Sequence, residues 1–494
     1  MNRANILPIG LLILSLAYPS CGQTTDAVAA QILDDLVGTY KDEILNSTQE
    51  LIKIKSVAGE SKPGMPYGEG PAQALDKVLE VANGLGFNTT NLDGYIGYAE
   101  FGQGDLYVAI LAHVDVAPEG DGWTYPPYGG EIHDGKIYGR GCIDNKGPAI
   151  SALYALKALK DSNLSTSKKV RVIFGTNEEK GTGDDVEHYL EKEGPPVSGF
   201  TPDGEFPAVF AEKGALAFDI AKDLERKPSS VEIVSIQSGT APNIVPNKAI
   251  AEIRTLNPAS IVSDCERFAN ETRYNITATQ KNGSAVVTSV GLAAHGSMPY
   301  NGKNAAMQLI AFLGTLNLSR SDMKNAIDFL NAKIDMETDG RSFGLAMEDE
   351  PSGNLTFNVG IVNATDEHIA LTLDIRYPVT HTSNEVMGIF NHTIEGTGFK
   401  IDNFKVDLKP LYYPKDTLLI RTLTGVYNRE TGRNDSAIAT GSGSYAKQMP
   451  NIAASGPLMP GQVNVVHQSN EYIAISDLMN ITRIYAQDIY ELAK

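Results

Sequence analysis

Leu111-Ala112-His113-Val114-Asp115-Val116-Ala117-Pro118 closes an apolar run that begins at Tyr107. Neither glycine nor proline interrupts residues 107–111, so the segment reads as a β-strand. Alternate residues of a strand face one side, which places His113 beside Asp115. An imidazole that ligates a metal usually gives its second ring nitrogen to a carboxylate, which fixes the tautomer and raises basicity. Taken alone, the pair reads equally well as a hydrogen-bonded histidine at a strand end.

Further carboxylates separate the two readings. Tyr138-Gly139-Arg140-Gly141-Cys142-Ile143-Asp144-Asn145-Lys146-Gly147 leads into a helical pattern that opens at Pro148 and runs through Ile150, Leu153, Tyr154, Leu156 and Leu159. Asp144 thus falls in a glycine-rich strand-to-helix connection, where a carboxylate can approach an ion closely. Residues 169–174 alternate as a strand and end in Gly175-Thr176-Asn177-Glu178-Glu179. Adjacent carboxylates on extended backbone point to opposite sides, which suits one ligand and one free base. Thr201-Pro202-Asp203-Gly204-Glu205-Phe206 adds an acid, and Val465-Val466-His467-Gln468-Ser469-Asn470-Glu471 a late histidine. His113, Asp144, Glu179, Asp203 and His467 are the candidate metal ligands, with Asp115 and Glu178 in support. Several stand just past the C-terminal ends of expected strands, where open α/β sheets place their sites. Histidine and carboxylate donors suit zinc, with manganese or cobalt as alternatives. A carboxylate shared between two ions, with further ligands for each, is the arithmetic of a paired-metal hydrolase, whose ions sit ~3.5–4 Å apart. Cys21, Cys142 and Cys265 are too scattered for a zinc-finger pattern.

The order His113-x-Asp115, Gly139-Arg140-Gly141-x-x-Asp144-x-Lys146-Gly147, Gly175-Thr176-x-Glu178-Glu179, Asp203, His295 and His467 resembles the co-catalytic metallopeptidase family. That family includes carboxypeptidases G, aminoacylases, carnosinases and bacterial Xaa-His dipeptidases. Within it the chain is most similar to the Xaa-His dipeptidase branch, through Pro202-Asp203-Gly204-Glu205-Phe206-Pro207, Glu212-Lys213-Gly214, Ala294-His295-Gly296-Ser297-Met298-Pro299, 352–360 and Asp374-Ile375-Arg376-Tyr377-Pro378. The resemblance implies two zinc ions: one held by His113, Asp144 and Asp203, the other by Asp144, Glu179 and His467. Asp115 would orient His113, and Glu178 would be the general base. A cis peptide after the bridging aspartate is common in the family, here Asp144–Asn145. Asn145 and Cys142 depart from its commonest spelling. The run Gly441-Ser442-Gly443-Ser444-Tyr445-Ala446-Lys447 has lysine where the branch typically has arginine, which loses a planar fork. Ser444 and Asn243 are the implied polar substrate contacts.

The chemistry follows. Water on such a metal ionises near pH ~7, and a nearby carboxylate can take its proton and pass it to the leaving amine. The carbonyl oxygen gains charge and needs a donor; the resemblance places His295 there, on a second domain. A dipeptide's free α-carboxylate needs a cation, and Arg376 can hold it bidentately. Each residue also has a plainer reading. Arg376 can pair with a neighbouring acid, His295 can be an ordinary turn histidine, and Glu178-Glu179 can be a solvated loop. Gly139-Arg140-Gly141 matches neither a P-loop nor a dinucleotide fingerprint.

The chain of 494 residues, 42% hydrophobic, is long enough for more than one core. Its formal charge of −19 argues against nucleic acid and against an anionic membrane surface as partners. Residues 1–22 read as a secretory signal, with an apolar core shorter than the ~20 residues a membrane span needs. A lipid anchor on Cys21 is the alternative. About a dozen Asn-x-Ser/Thr sequons, Asn46, Asn88, Asn163, Asn270, Asn275, Asn317, Asn354 and Asn480 among them, point to a glycosylated, secreted or luminal protein. Helical and strand patterns alternate over 23–210, which gives an α/β catalytic domain with a largely parallel central sheet. An inserted α+β lid domain is expected over 211–409, and the chain returns to the catalytic domain over 410–494. The branch enlarges its lid so that one chain suffices, which implies a monomer. The reading is a secreted zinc dipeptidase acting on small unblocked peptides. An N-acyl-amino-acid deacylase and a binding glycoprotein on a peptidase fold are the alternatives.

Overall fold

The computed structural model describes residues 25–494 apart from 226, 228, 319 and 320; the signal segment and Cys21 lie outside the described residues. Tyr107–His113 is a strand buried along its whole length. Val108, Ile110 and Ala112 enter one apolar cluster while Ala109 and Leu111 enter another, so helices must cover both faces. Thr25–Thr39, Lys41–Ile52, Glu69–Gly84, Lys146–Asp161, Leu418–Thr431 and Ile475–Ala493 supply the first cluster, and Asp184–Glu193 the second.

The strand lies at the middle of a nine-stranded sheet. It pairs in parallel with Lys169–Gly175 on one side and Ser198–Thr201 on the other, and Ser198–Thr201 pairs in parallel with Ile452–Ala454. Antiparallel pairs form the margins: Asn88–Leu92 with Ile96–Phe101, Ile96–Phe101 with Lys169–Gly175, and Leu411–Tyr412 with Val209–Glu212. The sheet is therefore mixed, with a parallel centre. The central parallel strands Tyr107–His113, Lys169–Gly175, Ser198–Thr201 and Ile452–Ala454 all end at the same edge, where His113 closes its strand and the loops that follow carry Glu178, Glu179 and Asp203.

Between Val209–Glu212 and Leu411–Tyr412 the chain builds a separate eight-stranded sheet, antiparallel throughout. Pro258–Thr272, Ala305–Thr315, Asp322–Lys333 and Ser383–Ile394 pack on it around a cluster of their own. Among the described residues no helix is long and apolar enough to cross a membrane.

The helix expected from Pro148 begins two residues earlier, at Lys146. Lys146 N donates to Gly141 O at 2.8 Å, and its buried Nζ donates to Ile54 O at 2.6 Å. Pro148 then sits in the first turn, where a missing N–H leaves no helical bond unmade. Truncating Leu153, wholly buried on this helix, to alanine is expected to cost about 2–5 kcal/mol, read as a lower denaturation midpoint.

Candidate metal centre

His113 ends its strand, and Asp115 lies just beyond it. The His113 Nδ1 stands 3.1 Å from the Asp115 carbonyl oxygen and 3.4 Å from its Oδ1. A carbonyl oxygen only accepts, so Nδ1 carries the hydrogen and Nε2 is left as the ligand atom. Asp115 therefore orients His113 largely through its main chain. Its carboxylate accepts from Glu178 N at 3.2 Å and Glu179 N at 3.1 Å. Those bonds shape a 3-10 turn, Glu178–Lys180, in place of the extended backbone expected there. The two glutamates still diverge in role: Glu179 meets His467, and Glu178 makes no bond to either histidine.

Asp144 is the shared member. Its Oδ1 lies 3.0 Å from His113 Nε2 and its Oδ2 lies 2.9 Å from His467 Nε2. His467 Nε2 is also 3.0 Å from Glu179 Oε2, and His113 Nε2 is 3.8 Å from Asp203 Oδ2. The donor atoms of His113, Asp144 and Asp203 lie within 4.8 Å of one another, as do those of Asp144, Glu179 and His467. The peptide after Asp144 is cis.

The donors fit divalent cations on charge as well as position. Burial would raise the Asp144 carboxyl, but the His113 and His467 imidazoles outweigh it and hold it far below the ordinary range. Burial and the negative charge of Asp144 push Asp203 up to about 7. Burial and Asp203 drive Glu178 well above its usual value. One cause runs through these shifts: carboxylates outnumber the positive groups in a small, partly buried space, and divalent cations relieve that crowding.

The lid contributes His295 and Arg376, and His295 lies near enough to His467 to feel its charge. His295 forms a bridge with Ile244, and its Nδ1 accepts from Ser297 N at 3.2 Å and Ser297 Oγ at 2.7 Å. Nε2 is then the protonated nitrogen. Desolvation and the Arg376 charge pull His295 down to about 4, so it is a neutral donor at physiological pH. Arg376 Nε and Nη2 donate to Asp374 Oδ1 and Oδ2 at 2.7 and 3.0 Å, and Nη1 points to Gly441 O at 3.4 Å. The neighbouring-acid reading of Arg376 is thus realised, yet the Nη1–Nη2 edge of the guanidinium is not used by Asp374. Gly441 belongs to the catalytic side, and a Cβ there would stand 2.8 Å from the lid's Ser297 Cβ, so the two sides are in contact. Asn243 O accepts from Gly296 N at 2.7 Å, and its side chain is partly exposed.

Ser444 is a correction. Its Oγ donates to buried Glu212 Oε1 at 2.7 Å and its N donates to Oε2 at 3.1 Å, so it ties down its own loop instead of presenting a donor to a ligand. Lys447 Nζ donates to Lys213 O, and burial pulls its ammonium down to about 8.

Sequence reasoning missed Asp374 and Asn358. Asp374 aims Arg376, and the two share a strand face at positions i and i+2, a signal legible in Asp374-Ile375-Arg376. Asn358 Nδ2 donates to Pro242 O at 2.9 Å and Ile244 O at 3.3 Å, which braces the Asn243 loop. No spacing rule points to such a contact.

Residues 109–491 match the model of peptidase family M20/M25/M40. The chain belongs to that family and is a metallopeptidase. It is 40% identical over 461 residues to a Bacillus subtilis (strain 168) protein named "Putative dipeptidase YtjP", covering 92% of this chain and 98% of that one. Human carnosine dipeptidase 1 shares the fold at a TM-score of 0.56 and 14% identity, covering 94% of this chain and 99% of its own. Aminoacylhistidine dipeptidase from Vibrio alginolyticus does so at 0.53 and 16% identity, covering 91% and 96%.

A Cβ at Gly296 would stand 2.6 Å from Asp374 Oδ2 and 3.1 Å from Asn243 Cα. Gly296→Ala is therefore expected to displace His295 and lower kcat/KM by about 100-fold, with bound metal unchanged by elemental analysis.

Proposed function

We propose that this chain is a dipeptidase acting on unblocked dipeptides with a pair of zinc ions. The observation that carries the reading is Asp144 set between His113 and His467, with Glu178 beside the cluster but bonded to neither histidine. His113, Asp144 and Asp203 would hold one ion, and Asp144, Glu179 and His467 the other. Bound there, the ions supply a water molecule that ionises near neutral pH and a polarising charge for the scissile carbonyl.

The protein's own groups do the rest. Glu178 takes the proton of the attacking water at its carboxylate and returns it to the leaving amine. Neutral His295 donates from Nε2 to the oxygen on which charge develops, at no cost of deprotonation. Arg376 holds the terminal carboxylate of the dipeptide through the Nη1–Nη2 edge that Asp374 leaves, with Nη1 turning to it from Gly441 O and Asp374 fixing the plane of the guanidinium. Asn243 lies beside His295 and contributes a polar contact. Contact between the lid (residues 211–409 in this reading) and the Gly441 loop excludes water from the cleft.

We also propose that the protein is a monomer and is exported. Export is supported by the character of residues 1–22 and by the exposure of every sequon asparagine named above.

Hydrolysis of Ala-Ala and β-Ala-His against N-acetyl amino acids tests the substrate class. Unblocked dipeptides are expected to be cleaved, and activity confined to acetylated substrates refutes the reading. Glu178→Gln is expected to lower kcat by about 10²–10⁴-fold with both ions retained. Undiminished turnover in that variant removes Glu178 as the base.

A further inference from the structure

A buried ion pair lies beneath the metal centre, and the chemistry above does not use it. Arg140 Nη1 donates to Glu471 Oε2 at 2.6 Å, and the two side chains are 1% and 0% exposed. The partners are 331 positions apart. Each is bonded beyond the pair. Arg140 Nη2 donates to Pro118 O at 3.2 Å and Glu119 O at 3.3 Å, while Nη1 reaches Gln468 O at 3.5 Å. Glu471 Oε1 accepts from Ile143 N at 3.1 Å and Asp144 N at 3.3 Å, and its carbonyl accepts from Gly139 N at 3.0 Å.

These bonds are not distributed at random. They join the loop that follows Asp115, the loop that carries Asp144 and the loop that carries His467. A buried ion pair is weak evidence for stability, because apolar residues of similar volume often serve as well or better. What apolar residues cannot do is accept the two main-chain N–H groups at Ile143 and Asp144, or hold three carbonyls from two separate loops.

Resting on the two-ion reading above, we infer that Arg140 and Glu471 are positioning residues that set the distance between Asp144 and His467. The pair fixes the main chain at the shared carboxylate and, through Gln468 and Glu471, the loop that brings His467 to it. The other half of the centre has separate anchors. His113 ends a strand buried along its length, and Asn145 Nδ2 donates to Pro202 O at 2.6 Å, tying the Asp144 loop to the Asp203 loop. Loss of the pair therefore falls mainly on the ion held by Asp144, Glu179 and His467.

The test is a Zn²⁺ titration of full-length, metal-stripped protein, with far-UV circular dichroism as the check on folding. Wild-type protein is expected to bind two ions. Glu471→Gln keeps an acceptor toward Ile143 and Asp144 but removes the charge that compensates Arg140. The double variant Arg140→Met, Glu471→Leu removes the pair without leaving a buried charge. In both, one ion is expected to bind about 10–100-fold more weakly while the other stays within about threefold of wild type, with the spectrum preserved. Folded variants that bind both ions as wild type does overturn the inference. So does equal weakening of both ions, or unfolding of both variants, since the pair then serves stability alone. Wild-type protein that takes up no ions overturns the two-ion reading itself, and this inference with it.

Discussion

One carboxylate organises the site: Asp144 meets imidazoles that arrive from opposite ends of the chain, His113 on one oxygen and His467 on the other. Every other arrangement in the catalytic half serves that meeting. Asp115, Glu178, Glu179 and Asp203 gather around it, and a small, partly buried space with so many acids is unfavourable unless cations balance them. His113, Glu178, Glu179 and Asp203 are held in that crowd at or just beyond the ends of strands that are largely buried. Val108–Ala112 buried on both faces cannot shift without disturbing two cores.

The lid works by a different principle. Its side chains are aimed by hydrogen bonds, although Asp374 and Arg376 stand near the end of the strand His368–Tyr377. Asp374 takes one edge of Arg376, Ser297 takes one nitrogen of His295, and Gly296 lets the main chain pass between Asp374 and Asn243. These bonds leave an Nε2–H on His295 outside its Ser297 contacts and the Nη1–Nη2 edge of Arg376 unused by Asp374, with Nη1 on Gly441 O. In the proposed reaction both donors would be oriented before a substrate enters, which would reduce the ordering cost of binding and of charge development.

The five residues that cluster around Asp144 were legible because their signals are local. Strand ends, a glycine-rich turn and His-x-Asp spacing each survive without knowledge of the fold, and two of the central parallel strands were visible, 107–111 as an apolar run and 169–174 as an alternating one. What local pattern could not supply was partnership across the chain. The resemblance implies a substrate contact from Ser444, yet its hydroxyl hydrogen goes to Glu212, far away in sequence. The extended geometry expected at Glu178-Glu179 gave way to a tight turn because a distant carboxylate caps its N–H groups. The start of the helix at Lys146 was set by Ile54, again from another segment. Asp374 lay two residues from a residue already singled out, and strand periodicity alone could have found it.

The most direct measurement of the central claim is anomalous diffraction from crystals of the protein loaded with zinc. The account predicts two peaks ~3.5–4 Å apart, both in contact with Asp144, one flanked by His113 and Asp203 and the other by Glu179 and His467. A single peak, or a pair in which Asp144 touches only one ion, would contradict it.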